Sequence, residues 1–180
     1  MATRSAIGYV DDSGNIHSVY CHWDGYPSYV GAVLYTFYNN LEAIKRLIEK
    51  GDMSSILDAA GEDETKSHLP VGPVHYHEWR NEDWDGVKPK THGNVEAVLA
   101  CRREQCAEYF YLFKNGKWLC HEYKWLCHEY ADFVSWEGFE NLKDVLAYDH
   151  VVNEHGGLEA YCQAFERSVE QAKQSQAKAS

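Results

Sequence analysis

The dipeptide Asn115-Gly116 leaves the middle of this chain little choice of fold. A two-residue hairpin turn needs positive φ at both central positions, and Asn and Gly adopt it at least cost. Here the pair stands between the aromatic run Tyr109-Phe110-Tyr111-Leu112-Phe113 and Lys117-Trp118-Leu119-Cys120. The spacing therefore predicts an antiparallel hairpin in which Phe113 faces Trp118 and Tyr111 faces Cys120. The heptad Lys117 to Tyr123 is followed at once by an identical copy, Lys124 to Tyr130. Because seven is odd, a continuous strand would turn every side chain of the second copy to the opposite face. One copy is thus expected in the hairpin and the other extending or looping beyond the sheet edge. His121 and His128 read as products of that duplication rather than as a doubled functional group.

A second hairpin is predicted at the N-terminus, with strands over 5–10 and 16–23 joined by Asp11-Asp12-Ser13-Gly14-Asn15. From Pro27 the apolar spacing becomes helical through Val30, Val33, Leu34 and Phe37, with Gly31 allowing a neighbour to come close. A helix from Leu41 to Lys50 turns Ile44, Leu47 and Ile48 inward and stops at Gly51. Asp52 or Ser54 is placed to cap a short third helix. Residues 60 to 94 are loop-rich, with a short strand expected around Val74 to Trp79, and the periodicity of Val95 to Glu104 fits strand or helix. Two further helices are expected. One, capped by Ser135, carries Phe139, Leu142, Val145 and Leu146, and the other, from Leu158, carries Tyr161, Cys162, Phe165 and Val169. The pattern predicts an α+β fold of two antiparallel β-hairpins forming a small sheet packed against several helices. Residues 1–171 form one domain, and the polar stretch 172–180 is a fraying tail.

The stretch Tyr20-Cys21-His22-Trp23-Asp24-Gly25-Tyr26-Pro27 crowds aromatic, titratable and turn-forming residues where a strand passes into a helix. Alternation puts Tyr20 and His22 on one face and Trp23 in the core. Tyr20, His22, Asp24 and Tyr26 are the candidate binding residues here, since a histidine beside a carboxylate can act as a base or orient a ligand. The plainer reading makes Asp24 a helix cap and His22 a surface hydrogen-bonding group. Trp79 and Trp84, set among acids in Glu78-Trp79-Arg80-Asn81-Glu82-Asp83-Trp84-Asp85, are the other candidates for contact with a partner. No nucleophile or second carboxylate stands in a recognisable spacing, so no catalytic residue is assigned. His75-Tyr76-His77 with Glu82 resembles part of a cupin metal motif, but the glycine spacing does not fit and no second motif follows, so no metal or cofactor is expected. Phosphate-binding loops and GxSxG turns are missing.

The formal net charge of −11 argues against attraction to nucleic acid or anionic membranes and suits a partner with a basic surface. No apolar run approaches the roughly twenty residues that span a bilayer, and the first residues do not lead into a signal-peptide segment. The six cysteines form no CxxC pair, as expected of reduced thiols in a cytoplasmic protein. Homo-oligomerisation is compatible with all of this.

Ser5-Ala6-Ile7-Gly8, Gly14-Asn15-Ile16, the stretch Tyr20 to Pro27 and Val30-Gly31 together resemble the start of a group of small bacteriophage-encoded proteins. The resemblance spans about the first forty residues. It implies a phage origin and action in the cytoplasm of an infected bacterium, and it carries no catalytic residue with it. Two readings follow. One is an acidic, phage-encoded protein that inhibits or modulates a host or defence component by protein–protein contact, in the manner of an anti-CRISPR. The alternative is a small enzyme or ligand-sequestering protein with a pocket around His22 and Asp24.

Overall fold

The computed structural model describes residues 2–58, 71–123 and 138–179, and within them the chain builds a mixed α+β fold. Strands β1 (Ser5–Val10) and β2 (Ile16–Cys21) pair antiparallel. Strands β6 (Tyr109–Lys114) and β7 (Lys117–Glu122) do the same, with Phe113 opposite Trp118 and Tyr111 opposite Cys120. At the turn between them Asn115 has φ 52° and Gly116 φ 76°, the doubly left-handed backbone that this pair favours. The two hairpins are joined by a parallel pairing of β1 with β6, Ser5 opposite Tyr109 through Tyr9 opposite Phe113.

The sheet is larger than two hairpins. It runs β4-β3-β2-β1-β6-β7-β8, adding β3 (Met53–Asp58), β4 (Gly72–His75) and β8 (Glu140–Asn141), while β5 (Lys90–His92) also pairs with β2. Residues 53–58 are therefore a strand where the capping signals suggested a third helix. The reason is tertiary: the Asp52 carboxylate accepts from the distant Tyr20 N–H (2.7 Å) instead of capping its own segment. Met53, fully buried, pairs with Cys21 of β2. The strand expected over 74–79 is shorter than its apolar run. After His75 the Tyr76 N–H bonds Asp52 O (3.0 Å), β3 offers no earlier residue to pair, and the chain closes into α3 (Tyr76–Arg80).

On one face of the sheet a π-helical turn, Pro27–Gly31, runs into α1 (Ala32–Phe37), followed by α2 (Leu41–Ile48). These pack with α6 (Leu142–Tyr148), α7 (His150–Glu154) and α8 (Leu158–Ala179) over Ile7, Val19, Cys21, Tyr111, Trp118 and Cys120. A Cβ on Gly31 would lie 3.1 Å from Leu142 and 3.2 Å from the Tyr111 ring, the close approach anticipated for this glycine. Helix α8 continues past residue 171 to Ala179. The opposite face carries a smaller core, where α4 (Trp84–Val87) leads through β5 to α5 (Val95–Glu104). Val95 and Val98 of α5 cover Ala6, Ile16, Phe110 and Leu112. Arg102, 2% exposed, pins α5 to the sheet by donating to Ala107 O, Glu108 O and His121 Nδ1.

Helix α6 is capped by Asn141, whose side chain accepts from the Lys143 N–H, and Phe139 sits before it against Phe110 and His121. The second heptad copy, with Cys127 and His128, and the expected Ser135 cap lie outside the described residues.

Candidate binding surface

Strand β2 has one neighbour on its first edge and two on its second. Along that second edge β5 pairs with Ile16, His17 and Ser18, and β3 with Cys21. Between them the sheet forks, and Asp52 fills the gap at Tyr20. Burial pushes the Asp52 carboxyl up to about 6, only partly offset by the Tyr20 N–H.

Helix α5 covers the Ile16 end of this face. By alternation Tyr20 and His22 continue the same face beyond its cover, and both are half-buried. The Tyr20 hydroxyl and His22 Nδ1 are hydrogen-bonded to each other (2.8 Å). Burial pushes the Tyr20 hydroxyl up to about 12, so it keeps its proton, while burial and the nearby guanidiniums of Arg4 and Arg80 hold the His22 pKa down. Trp23 lies edge-on to His22, with centroids 4.7 Å apart. Across the fork, α3 brings Arg80 over the Tyr76 ring (4.9 Å), and Arg80 also donates to Ser54 Oγ (3.4 Å). Tyr20, His22, Trp23, Tyr76, Arg4 and Arg80 thus make one partly exposed surface of aromatic rings and guanidiniums.

Two expectations for this region need correcting. Trp23 is 45% exposed and not a core residue, because β2 ends at Cys21 and it is Cys21, fully buried, that fills the inward position. Asp24 does not cap the helix. It takes a left-handed backbone (φ 56°), and the position preceding Pro27 is Tyr26, which makes no side-chain cap. Among the described residues no hydrogen bond or ion pair joins Asp24 to His22. Asp24 acts instead on Tyr26, whose hydroxyl pKa burial and this carboxylate raise. Tyr26 turns toward α8, in a row with Tyr29 and Phe165.

Trp79 and Trp84 are 40% and 38% exposed. Trp79 stands on α3 beside Tyr76 and Arg80. Trp84 packs edge-on against His77, with centroids 5.3 Å apart, and no described ring contact links either tryptophan to Tyr20 or His22. The His75-Tyr76-His77 run does not present both histidines together: His75 is buried at the end of β4 and His77 is exposed on α3. Among the described residues no group of three or more His, Cys, Asp or Glu side chains is placed to hold a metal ion.

Sequence reading assigned none of Tyr76, Arg80, Arg4 and Asp52 to this surface: Tyr76 and Arg80 come from α3, Arg4 from the start of the chain, and Asp52 read as a helix cap. It also missed a polar relay from the β1–β2 turn across β2 to β5, where the Asp11 carboxylate accepts from His17 Nε2 (2.8 Å) and His17 Nδ1 is hydrogen-bonded with Thr91 Oγ1 (3.1 Å). His17 holds the Asp11 carboxyl down to about 2. Asp11 also lines a cavity of about 640 Å3 at the carboxyl ends of β1 and β6, with Asp12, Asn39, Asn40 and Asn115. No helix among the described residues is long and apolar enough to cross a membrane. Compared with known proteins, the chain matches no family model, no curated protein and no solved structure.

Proposed function

We propose that this protein acts by binding another protein through the surface of Tyr20, His22, Trp23, Tyr76, Arg4 and Arg80. The observation that carries the reading is composition at one place: Tyr, Trp and Arg are the residue types that dominate binding energy at protein interfaces, and here they are contiguous and partly exposed. Each is also held in position, Tyr20 by His22 and Arg80 by the Tyr76 ring, so little ordering entropy remains to be lost on binding. The acidic surface elsewhere, at a net charge of −11, suits a partner with a basic periphery around the contact. With the N-terminal resemblance, the partner is a host or defence component in the cytoplasm of a phage-infected bacterium, and binding inhibits it.

Trp23→Ala and Arg80→Ala are the informative variants. Both side chains are at the surface, so the melting temperature should stay close to that of the parent, while affinity for the partner recovered from host lysate falls at least about tenfold. Undiminished recovery of the same partner by both variants would overturn the assignment of this surface.

A further inference from the structure

The relay of Asp11, His17 and Thr91 is built like a nucleophilic site. Three segments bring it together: the β1–β2 turn supplies Asp11, β2 supplies His17 and β5 supplies Thr91. The turn fixes the carboxylate, with Asp11 Oδ1 accepting the Ser13 and Asn15 N–H groups (both 2.9 Å) and Oδ2 meeting His17 Nε2. Tyr9, opposite His17 on β1, stacks on the imidazole with centroids 4.9 Å apart and fixes its plane. The Asp11 carboxyl, held down to about 2, stays ionised and can only accept, so Nε2 carries a ring proton. In the neutral ring the lone pair is then on Nδ1, 3.1 Å from Thr91 Oγ1. An acid orienting a histidine whose other nitrogen meets a hydroxyl is the geometric signature of an activated nucleophile.

Strand register leaves this hydroxyl within reach of a substrate. Tyr20 and His22 send their N–H groups to the second edge of β2, to Asp52 and to Met53 O. By alternation Ile16 and Ser18 do the same toward β5. His17 and Thr91 therefore face each other as a pair without mutual backbone hydrogen bonds, the kind whose side chains come closest. The Thr91 N–H turns instead to the outer edge of β5, which pairs with no further strand among the described residues. Thr91 is exposed, and two residues on a Cβ at Gly93 would meet nothing within 4 Å. Nucleophile, base and an outward N–H that can receive developing oxygen charge thus share an open stretch of surface. Such a stretch suits a small, unhindered acyl group, since the threonine methyl crowds the attack of anything larger.

We infer that Thr91 is a nucleophile that takes the acyl group of small, activated carboxylic esters. Thr91 Oγ1 forms the new C–O bond to the carbonyl carbon while its proton passes to His17 Nδ1, and Asp11 stabilises the resulting imidazolium through Nε2. The bond to the leaving oxygen then breaks, the alcohol departs with the proton from Nδ1, and Thr91 is left as an ester that water hydrolyses with the same base. Asp11 is a positioning residue, since it never touches the ester. None of the three belongs to the aromatic surface, so the two proposals stand or fall separately. The test treats the full chain with p-nitrophenyl acetate and reads the release of p-nitrophenolate and, by peptide mass spectrometry, the position of the acetyl group. A burst approaching about one equivalent should appear, with acetyl on Thr91. Thr91→Val puts a β-branched residue at an exposed strand position, so the melting temperature should hold while the burst is lost. Asp11→Asn keeps the Oδ1 acceptor of the turn but removes the charge behind His17, and should slow the burst at least about tenfold. Absence of a burst, acetyl confined to lysines or cysteines, a burst undiminished in Thr91→Val, or an Asp11→Asn chain that acylates as fast as the parent would each overturn the site.

Discussion

Asp52 sits where the sheet divides, and its carboxylate does for Tyr20 what a neighbouring strand would otherwise do, by accepting the Tyr20 N–H. Because burial raises its folded pKa from 3.8 to about 6, the sign of its contribution is fixed. The stabilisation is fully present below the unfolded pKa and is lost as pH rises through about 6, when the buried carboxyl must ionise. Asp52→Asn keeps the Oδ1 acceptor and removes the charge. Urea unfolding should therefore find the variant equal to the parent near pH 4 and more stable by about 2 kcal/mol at pH 8. A variant less stable than the parent at pH 8 would show that the ionised carboxylate is held by a favourable partner. At this scale the sequence was least legible. Asp52 carried the signature of a helix cap, but its partner lies in a segment read separately, and no local pattern announces a bond between them. The same holds for His75, which read as one of two alternating histidines in an incomplete metal motif and is an interior residue. Trp23 misled in the other direction, since alternation puts it on the inward side but says nothing of where the core stops.

Elements were easier to read wherever the decisive signal was local. Asn115-Gly116 specified both the β6–β7 turn and its register, and the apolar spacing of Leu41 to Ile48 specified α2. Local signals failed at β3, where Asp52 and Ser54 suggested a helix that pairing with β2 overrode. They were silent on α5, whose face toward the sheet is interrupted by a buried arginine. Gly116→Val tests the turn directly. With φ 76° at that position a β-branched residue is strained, and chemical denaturation should show a loss of at least about 1 kcal/mol. An unchanged unfolding midpoint would mean that the left-handed turn is not required to hold the two strands.

Across the whole molecule the pairing that matters most is the one between β1 and β6. It is the seam between the hairpins and lies under both cores, Ile7 and Tyr111 facing the larger and Ala6 and Phe110 the smaller. The candidate surface depends on the same seam indirectly, because Gly25, just after Trp23, is held against the N-terminal segment by its bond to Thr3 O (2.8 Å) and receives the Tyr111 hydroxyl (2.8 Å). A chain ended at residue 107, before β6, should lack a cooperative unfolding transition by circular dichroism, although it retains β1 to β5. Cooperative unfolding of that fragment would show that the seam is an addition to a core that already stands. The two flanking residues Arg4 and Glu108, bonded backbone to side chain, are 104 positions apart. On the ribosome that interval becomes time. At typical elongation rates the N-terminal hairpin emerges roughly 5 to 20 seconds before its parallel partner exists. For that period Ala6 and Ile7 have no cores to enter and the outer edge of β1 has no strand to bond, so the newborn chain offers chaperones and other nascent chains the edge that β6 later closes.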